Sequence, residues 1–226
     1  MKKRYERNMH TISEKENEFL ADCNICVVGC GGLGGYIIEI LGRLGIGRIT
    51  AIDGDVFDET NLNRQIISEE RLIGWPKAVA AEERMHRINS DVEVNSIIEN
   101  VNEENVKELC KGYDIVIDAL DNIPCRLILE RACEEMRIPL IHGAIGGWYG
   151  QVAVVMPGDR TLSKIYSEDD EKGEEKELGT PSFIPAVVAG IEAAEAVKVL
   201  LKKETVLSKK LLSIDLLRNE YEIDEI

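Results

Sequence analysis

Apolar residues along this chain gather into short, nearly unbroken runs, and the segments between them carry helical spacing. Ile25 to Val28, Ile49 to Ile52, and Asp114 to Ala119 (DIVIDA) show little polar alternation, which predicts strands covered on both faces. Val92 to Ile98 and Leu140 to Ala144 read as further strands. Helical patterns run to about Leu44 after the first strand, then over about Lys77 to Ile88, Glu103 to Cys110, and Ile123 to Met136. In the second of these, Ala78, Ala81, Met85 and Ile88 share one face. This alternation predicts an α/β protein with a Rossmann-like, mostly parallel sheet and helices on both faces.

Towards the C-terminus the pattern changes. Gly150 to Val155 follows a short turn through Gly146 and Gly147 and is expected to run antiparallel. Leu211 to Asp215 and Glu220 to Ile226 read as a final hairpin or edge pair, so antiparallel strands are expected at the C-terminal side. A helix from about Pro185 to Leu201 is apolar nearly all round, which predicts burial or an oligomer contact. Residues 158–180 are polar, and Glu168 to Glu177 is almost all charge, the composition of a mobile solvated loop. At the other end, Ser13 to Glu16 matches a capping box and predicts a short helix towards Ala21. Met1 to His10 is polar and basic and reads as a frayed end, with Tyr5 and Met9 the candidate anchors. Together these features predict one nucleotide-binding domain over residues 1–226, with a helical arm over about 1–22 and an acidic loop over about 158–180.

The junction after the first strand is the most informative stretch. Gly29-Cys30-Gly31-Gly32-Leu33-Gly34 separates a strand from a helix, and the next strand ends on Asp53. Gly29 permits the sharp turn, Gly31 lets backbone N–H groups approach a phosphate, and Gly34 lets the helix pack close to the strand. The helix N-terminus, with unpaired N–H groups and the positive end of its dipole, would face the phosphates. Asp53 would accept hydrogen bonds from ribose hydroxyls. On this stretch alone the expected ligand would be NAD.

Charge and composition narrow the classes. The net charge of −15 argues against general nucleic-acid binding, which draws its affinity from neutralising phosphates. No apolar run approaches the roughly 20 residues needed to cross a bilayer, and the basic start has no apolar core behind it. A cytoplasmic protein is therefore expected. In that setting the six cysteines (23, 26, 30, 110, 125 and 133) are free thiols rather than a disulfide framework. Cys23 and Cys26 form one CxxC, but it runs straight into the first strand without a second pair, and packing is the better reading. Cys30 reads as a spacer in the glycine turn. His10, His86 and His142 receive no role.

Ligands in such a sheet bind at the carboxyl ends of the strands. The residues expected there are the glycine turn, Asp53 and Asp55 after the second strand, and Asp121 and Asn122 after DIVIDA. A connection far longer than usual, GDVFDETNLNRQIISEERLIGWPK, adds Asn61, Arg64 and Gln65, and Lys77 opens the helix after it. Two cations and a glycine cradle suit a polyphosphate, and a rim carboxylate, Asp121, suits Mg²⁺. An NAD enzyme has no need for Arg64, Lys77 and Asp121 to converge as well. The bland alternatives are surface charge for Arg64 and Lys77, and helix capping for Asp121-Asn122.

GCGGLG, IDGDVFDETNLNRQ, GWPKA and DALDN, in this order and at these intervals, closely resemble the MoeB/ThiF/HesA adenylyltransferases, bacterial relatives of the ubiquitin-activating enzymes. The resemblance runs from about Arg4 to Leu201, and NLNRQ and DALDN are its specific elements. It implies an enzyme that binds ATP·Mg²⁺ and adenylates the C-terminal glycine carboxylate of a small ubiquitin-like sulfur-carrier protein ending in Gly-Gly. Carried over by motif, it puts Gly32 and its neighbours on the phosphates and Asp53 on the ribose. Asn61, Arg64 and Lys77 would contact ATP, and Asp121 would hold the metal. It also implies a homodimer in which an arginine from the N-terminal segment reaches the other subunit's site. RYERN gives that role to Arg7, with Asn8 where the family has glutamine.

The same resemblance marks what is missing. Members often carry two zinc-binding CxxC pairs, but the corresponding stretches, RTLSKIY and LLRNEYEIDEI, hold no cysteine, so no structural zinc is expected. No cysteine follows Cys133, and the region where some members place a catalytic one reads LGTPSFIPA. The chain is thus expected to stop at the acyl-adenylate. The rival readings are a relative that activates a carboxylate on modified tRNA, a nucleotide-binding scaffold without turnover, and, least favoured, an NAD oxidoreductase.

Overall fold

A computed structural model describes residues 2–167 and 178–226. The charged stretch Glu168 to Glu177 lies outside the described residues. Among the described residues, eight strands form one sheet in the order β3-β2-β1-β4-β5-β6-β7-β8. The parallel part comprises β1 (Asn24–Val28), β2 (Arg48–Ile52), β3 (Glu93–Ile97), β4 (Ile115–Asp118) and β5 (Leu140–Gly146). The antiparallel part adds β6 (Tyr149–Val155), β7 (Lys210–Asp215) and β8 (Glu220–Glu225). The expected α/β fold, with its antiparallel C-terminal strands, is the one observed.

Alternate residues of each central strand feed opposite cores, as a period of two requires. From β1, Ile25 and Val27 face one side with Ile49, Ala51, Ile115 and Ile117; Cys26 and Val28 face the other with Ile52 and Val116. The first core is closed by α2 (Gly32–Leu44), α3 (Lys77–Ile88) and α7 (Phe183–Leu200). The second is closed by α4 (Val106–Leu109), α5 (Ile123–Met136) and α6 (Leu162–Ile165). The all-round apolar pattern of α7 follows from its position, because it packs on α2, β5 and β6 together. No described helix is long and apolar enough to cross a membrane.

Two local expectations are corrected. The Lys3–Asn8 segment is not frayed: it forms a 3₁₀ turn held against the C-terminal end of α2. The Tyr5 ring fills the space beside Gly45 and its hydroxyl accepts a 2.9 Å bond from Asn89 Nδ2, while Asn8 Nδ2 donates to Leu44 O at 3.1 Å. The helix expected from Glu103 is a single turn, because Asn102 and Asn105 bind each other's backbone and hold the preceding residues in a turn. The capping box before α1 (Glu14–Leu20) forms as expected, with Ser13 and Glu16 each bonding the other's backbone N–H.

Candidate active site

The chain leaves β1, winds β2 and β3 on one side, and then crosses to β4 on the other. The crevice at this reversal, beyond the carboxyl ends of β1 and β4, is where such sheets take ligands. A cleft of about 770 Å³ opens there, within the range of small-ligand sites. Its floor is the glycine turn. Gly29 adopts φ +98°, and a Cβ on it would stand 2.5 Å from Ala119 O, so the turn and the end of β4 meet with no room for a side chain. Gly34 brings α2 down on the same point: a Cβ there would lie 1.8 Å from Gly29 O. Gly31 is different, because a Cβ would meet only Gln65 Nε2 at 3.5 Å, and its backbone is open to a ligand. No described side chain caps the start of α2, which leaves its first N–H groups for an anion.

Asp53 ties the turn to β2. Its Oδ2 accepts from Cys30 N–H at 2.7 Å and its Oδ1 from Asp55 N–H at 2.8 Å. Burial raises its carboxyl above the usual range, opposed by these two bonds and by Lys77. Lys77 is nearly buried, and its ammonium pairs with Asp55 at 3.0 Å. Arg64 Nη1 bonds Thr60 O at 2.9 Å and Asn63 Oδ1 at 3.0 Å, both in its own loop. The loop is roofed onto the opposite wall by Asn63 Nδ2, which donates to Thr180 O at 3.1 Å.

Gly29, Gly31, Gly32, Asp53, Asp55, Arg64, Gln65, Lys77, Asp121 and Asn122 all line this cleft. Asn122 also caps α5, its side-chain oxygen accepting from Cys125 N–H at 2.9 Å. Two residues expected there, Gly34 and Asn61, do not line it. Gly34 lies beneath the turn as packing. Asn61 is buried in the loop, where its side-chain oxygen accepts from Asp58 N–H and its backbone oxygen from Arg64 and Gln65 N–H. Arg7 is exposed on the Lys3–Asn8 turn, one α2 length from the glycines, roughly 20 Å at 1.5 Å per residue. Asn100, at the end of β3, was not expected, although the strand-end rule that located Asp53 could have found it.

The donor set fits a nucleoside polyphosphate with a divalent cation. Gln65 Oε1 is buried in the cleft wall without a hydrogen-bond partner among the described residues, an acceptor left for a ligand's donor. Backbone N–H groups, Arg64 and Lys77 are the positive groups of the lining that could meet phosphates, and exposed Asp121 is a carboxylate that could take a divalent cation beside them.

A second cavity of about 780 Å³ adjoins the cleft, and Arg126 and Ile145 line both. Behind its wall lies a buried polar chain that the sequence did not reveal. His142 Nδ1 is 2.7 Å from Asp118 Oδ2 and its Nε2 is 3.1 Å from the Tyr166 hydroxyl, which also receives Gln151 Nε2. Arg126 donates to Leu120 O at 2.7 Å and to the Tyr166 hydroxyl at 3.3 Å, with its Nε 3.9 Å from Asp118. Burial lowers the His142 pKa, against the pull of Asp118. Glu192 of α7 is fully buried near this group, and desolvation, with Asp118 adding to it, holds its carboxyl well above the ordinary range.

The chain matches the ThiF family over residues 5–226. It is 34% identical over 224 residues to a SAMP-activating enzyme E1 of Haloferax volcanii, covering 97% of this chain and 83% of that protein. It is 33% identical over 219 residues to a molybdopterin-synthase adenylyltransferase of Haemophilus influenzae, covering 94% and 89%. The crystal structure of E. coli MccB with ATP superposes with a TM-score of 0.85 at 22% identity, covering 100% of this chain and 72% of that one, a likeness of fold.

Proposed function

The chain belongs to the ThiF family, and we propose that it uses ATP to adenylate the C-terminal glycine carboxylate of a small ubiquitin-like sulfur-carrier protein. One observation carries this reading: the crevice at the strand-order reversal collects a glycine cradle, Asp53, Arg64, Lys77 and Asp121 around one space. The acceptor class comes from the relatives, whose names include a SAMP-activating enzyme, a sulfur carrier protein adenylyltransferase and molybdopterin-synthase adenylyltransferases.

In the reaction a carboxylate oxygen attacks the α-phosphorus, the bond from that phosphorus to the bridging oxygen breaks, and pyrophosphate leaves. The attacking carboxylate is already ionised at neutral pH, so no general base is required, and catalysis consists of positioning and charge neutralisation. The N–H groups of Gly31 and Gly32 hold phosphate oxygens, and Asp53 accepts from the ribose. Arg64 and Lys77 neutralise the phosphates, with Asp55 fixing the Lys77 ammonium. Asn61 holds the loop that aims Arg64 and Gln65. Asp121 would hold a Mg²⁺ ion, which would supply further charge neutralisation there.

Residues 1–226 act as one adenylation unit within a homodimer, and Arg7 serves the partner's cleft. Its separation from its own cleft supports action in trans. The step assigned to this cleft ends at the acyl-adenylate. ATP–pyrophosphate exchange tests the reading, run with Gly-Gly-ended carriers, with tRNA, and with neither. Exchange that requires a carrier is expected; ATP binding without exchange for any acceptor would overturn it.

A further inference from the structure

The chain Asp118–His142–Tyr166–Gln151 runs from a buried carboxyl group to an amide at the cavity wall. Asp118 takes the Leu120 N–H on one oxygen and faces the Arg126 guanidinium with the other, so we assign the proton of the 2.7 Å contact to His142 Nδ1 as donor. In a neutral imidazole Nε2 is then an acceptor, and the Tyr166 hydroxyl, 3.1 Å away, donates to it. The hydroxyl oxygen therefore accepts from Gln151 Nε2 and from Arg126 Nη1. This order fixes the Gln151 amide with its nitrogen towards Tyr166. The amide oxygen remains as the acceptor that Gln151 can offer to the cavity it lines. The same hydroxyl, with Leu120 O, sets the plane of the Arg126 guanidinium where the cavity meets the nucleotide cleft. Four separate elements and the segment after α6 contribute, and the buried members, Asp118, His142 and Arg126, have no exposure to spare for movement.

We propose that His142 is a positioning residue that, through Tyr166, orients Gln151 and Arg126 to receive the terminal peptide of the acceptor beside the nucleotide. The proposal rests on the adenylation reading. Gln151 would accept a peptide N–H of the incoming terminus, and Arg126 would place positive charge beside its carboxylate at the seam. No bond forms or breaks in this role. These two groups suit a peptide end with an N–H donor just before a free carboxylate. A methylated amide or a proline at that position would lack the donor.

The test uses the full-length protein and compares His142→Asn, His142→Gln and Tyr166→Phe. Asparagine retains a donor for Asp118 but loses the acceptor for Tyr166, whereas glutamine can reach Tyr166 in place of Nε2. In carrier-dependent exchange, Tyr166→Phe and His142→Asn are expected to raise the carrier KM about five- to tenfold, the size of one hydrogen bond. The KM for ATP should stay within twofold, and His142→Gln should recover most of the loss. Nitrogen NMR of labelled histidine in the unmodified protein should show His142 as the Nδ1–H tautomer, with its Nε2 signal moving in Tyr166→Phe. An Nε2–H tautomer would overturn the proton order. An unchanged carrier KM in Tyr166→Phe would overturn the positioning role, and so would equal loss of ATP and carrier binding in all three variants. Absence of exchange from the unmodified protein with any carrier would bring down the adenylation reading and this role with it; the tautomer would separately report whether the chain of bonds exists.

Discussion

Gly34→Ala adds one methyl group at the most crowded point of the glycine turn. A Cβ there would stand 1.8 Å from the Gly29 carbonyl oxygen and 2.8 Å from its carbon, with the Ala119 methyl at 3.2 Å. Backbone cannot swing aside as a side chain can, so α2 and the end of β1 must part by more than about 1 Å. That movement strains the 2.7 Å bond from Cys30 N–H to Asp53 and the 2.7 Å bond from Gly29 N–H to Ile52 O. Overpacking costs about 1–3 kcal/mol, and losing a hydrogen bond to a carboxylate adds about 1.5–3 kcal/mol. At about 2–4 °C per kcal/mol for a chain of this size, a fall in Tm of roughly 5–24 °C is expected. Gly190→Ala in α7, where a Cβ meets nothing within 4 Å, serves as the control. It should raise Tm by about 1–4 °C, because alanine is favoured over glycine inside a helix. Scanning calorimetry with and without ATP·Mg²⁺ reads both effects, and Gly34→Ala should also lose most of the stabilisation by nucleotide. A Gly34→Ala protein within about 2 °C of the parent, with a full nucleotide shift, would refute the reading of the turn as a close-packed cradle.

Three further outcomes are expected. Glu192 has its folded-state pKa raised by burial, so the folded protein holds a proton that the unfolded chain releases above about pH 4.5. Its stabilising effect is lost as pH rises through the folded pKa, and Glu192→Gln should therefore gain Tm relative to the parent between pH 5 and pH 8; a constant difference across that range would contradict it. Lys77→Ala removes a nearly buried cation from the cleft and should slow exchange about 10²–10³-fold, while Asp121→Ala should abolish it with Tm unchanged; normal exchange in either would remove that residue from the phosphate or metal role. Mixing inactive Arg7→Ala with inactive Asp121→Ala subunits should restore activity in heterodimers, and no recovery from heterodimers shown to form would count against Arg7 acting in trans.

The sheet and its cleft were legible because their signals are local. An apolar run followed by Gly29, or DIVIDA followed by Asp121, announces a strand end and what stands on it. Asp53, Arg64 and Lys77 could be placed at the crevice by counting along the chain from those ends. What stayed hidden depends on contacts far apart in sequence. Tyr5 was a candidate anchor, but its seat is formed by Gly45 and Asn89, so nothing near it showed that the N-terminal segment would be ordered. Asn61 matches a ligand-contacting motif, yet its side-chain oxygen is taken by the Asp58 N–H of its own loop. His142 was given no role, since its partners Asp118, Tyr166 and Gln151 come from other segments and meet only in the folded sheet. Glu192 on an apolar helix carried no signal of its proximity to Asp118.

The central claim is that this cleft transfers the AMP portion of ATP to a carrier's terminal carboxylate. The direct measurement incubates the protein with a Gly-Gly-ended carrier and ATP labelled either at the α-phosphate or at the γ-phosphate, then quenches and separates the products. Carrier-associated label is expected from α-labelled ATP only, absent when the terminal glycine is deleted, with γ-label recovered as pyrophosphate. Label on the carrier from γ-labelled ATP, or release of ADP in place of pyrophosphate, would contradict it.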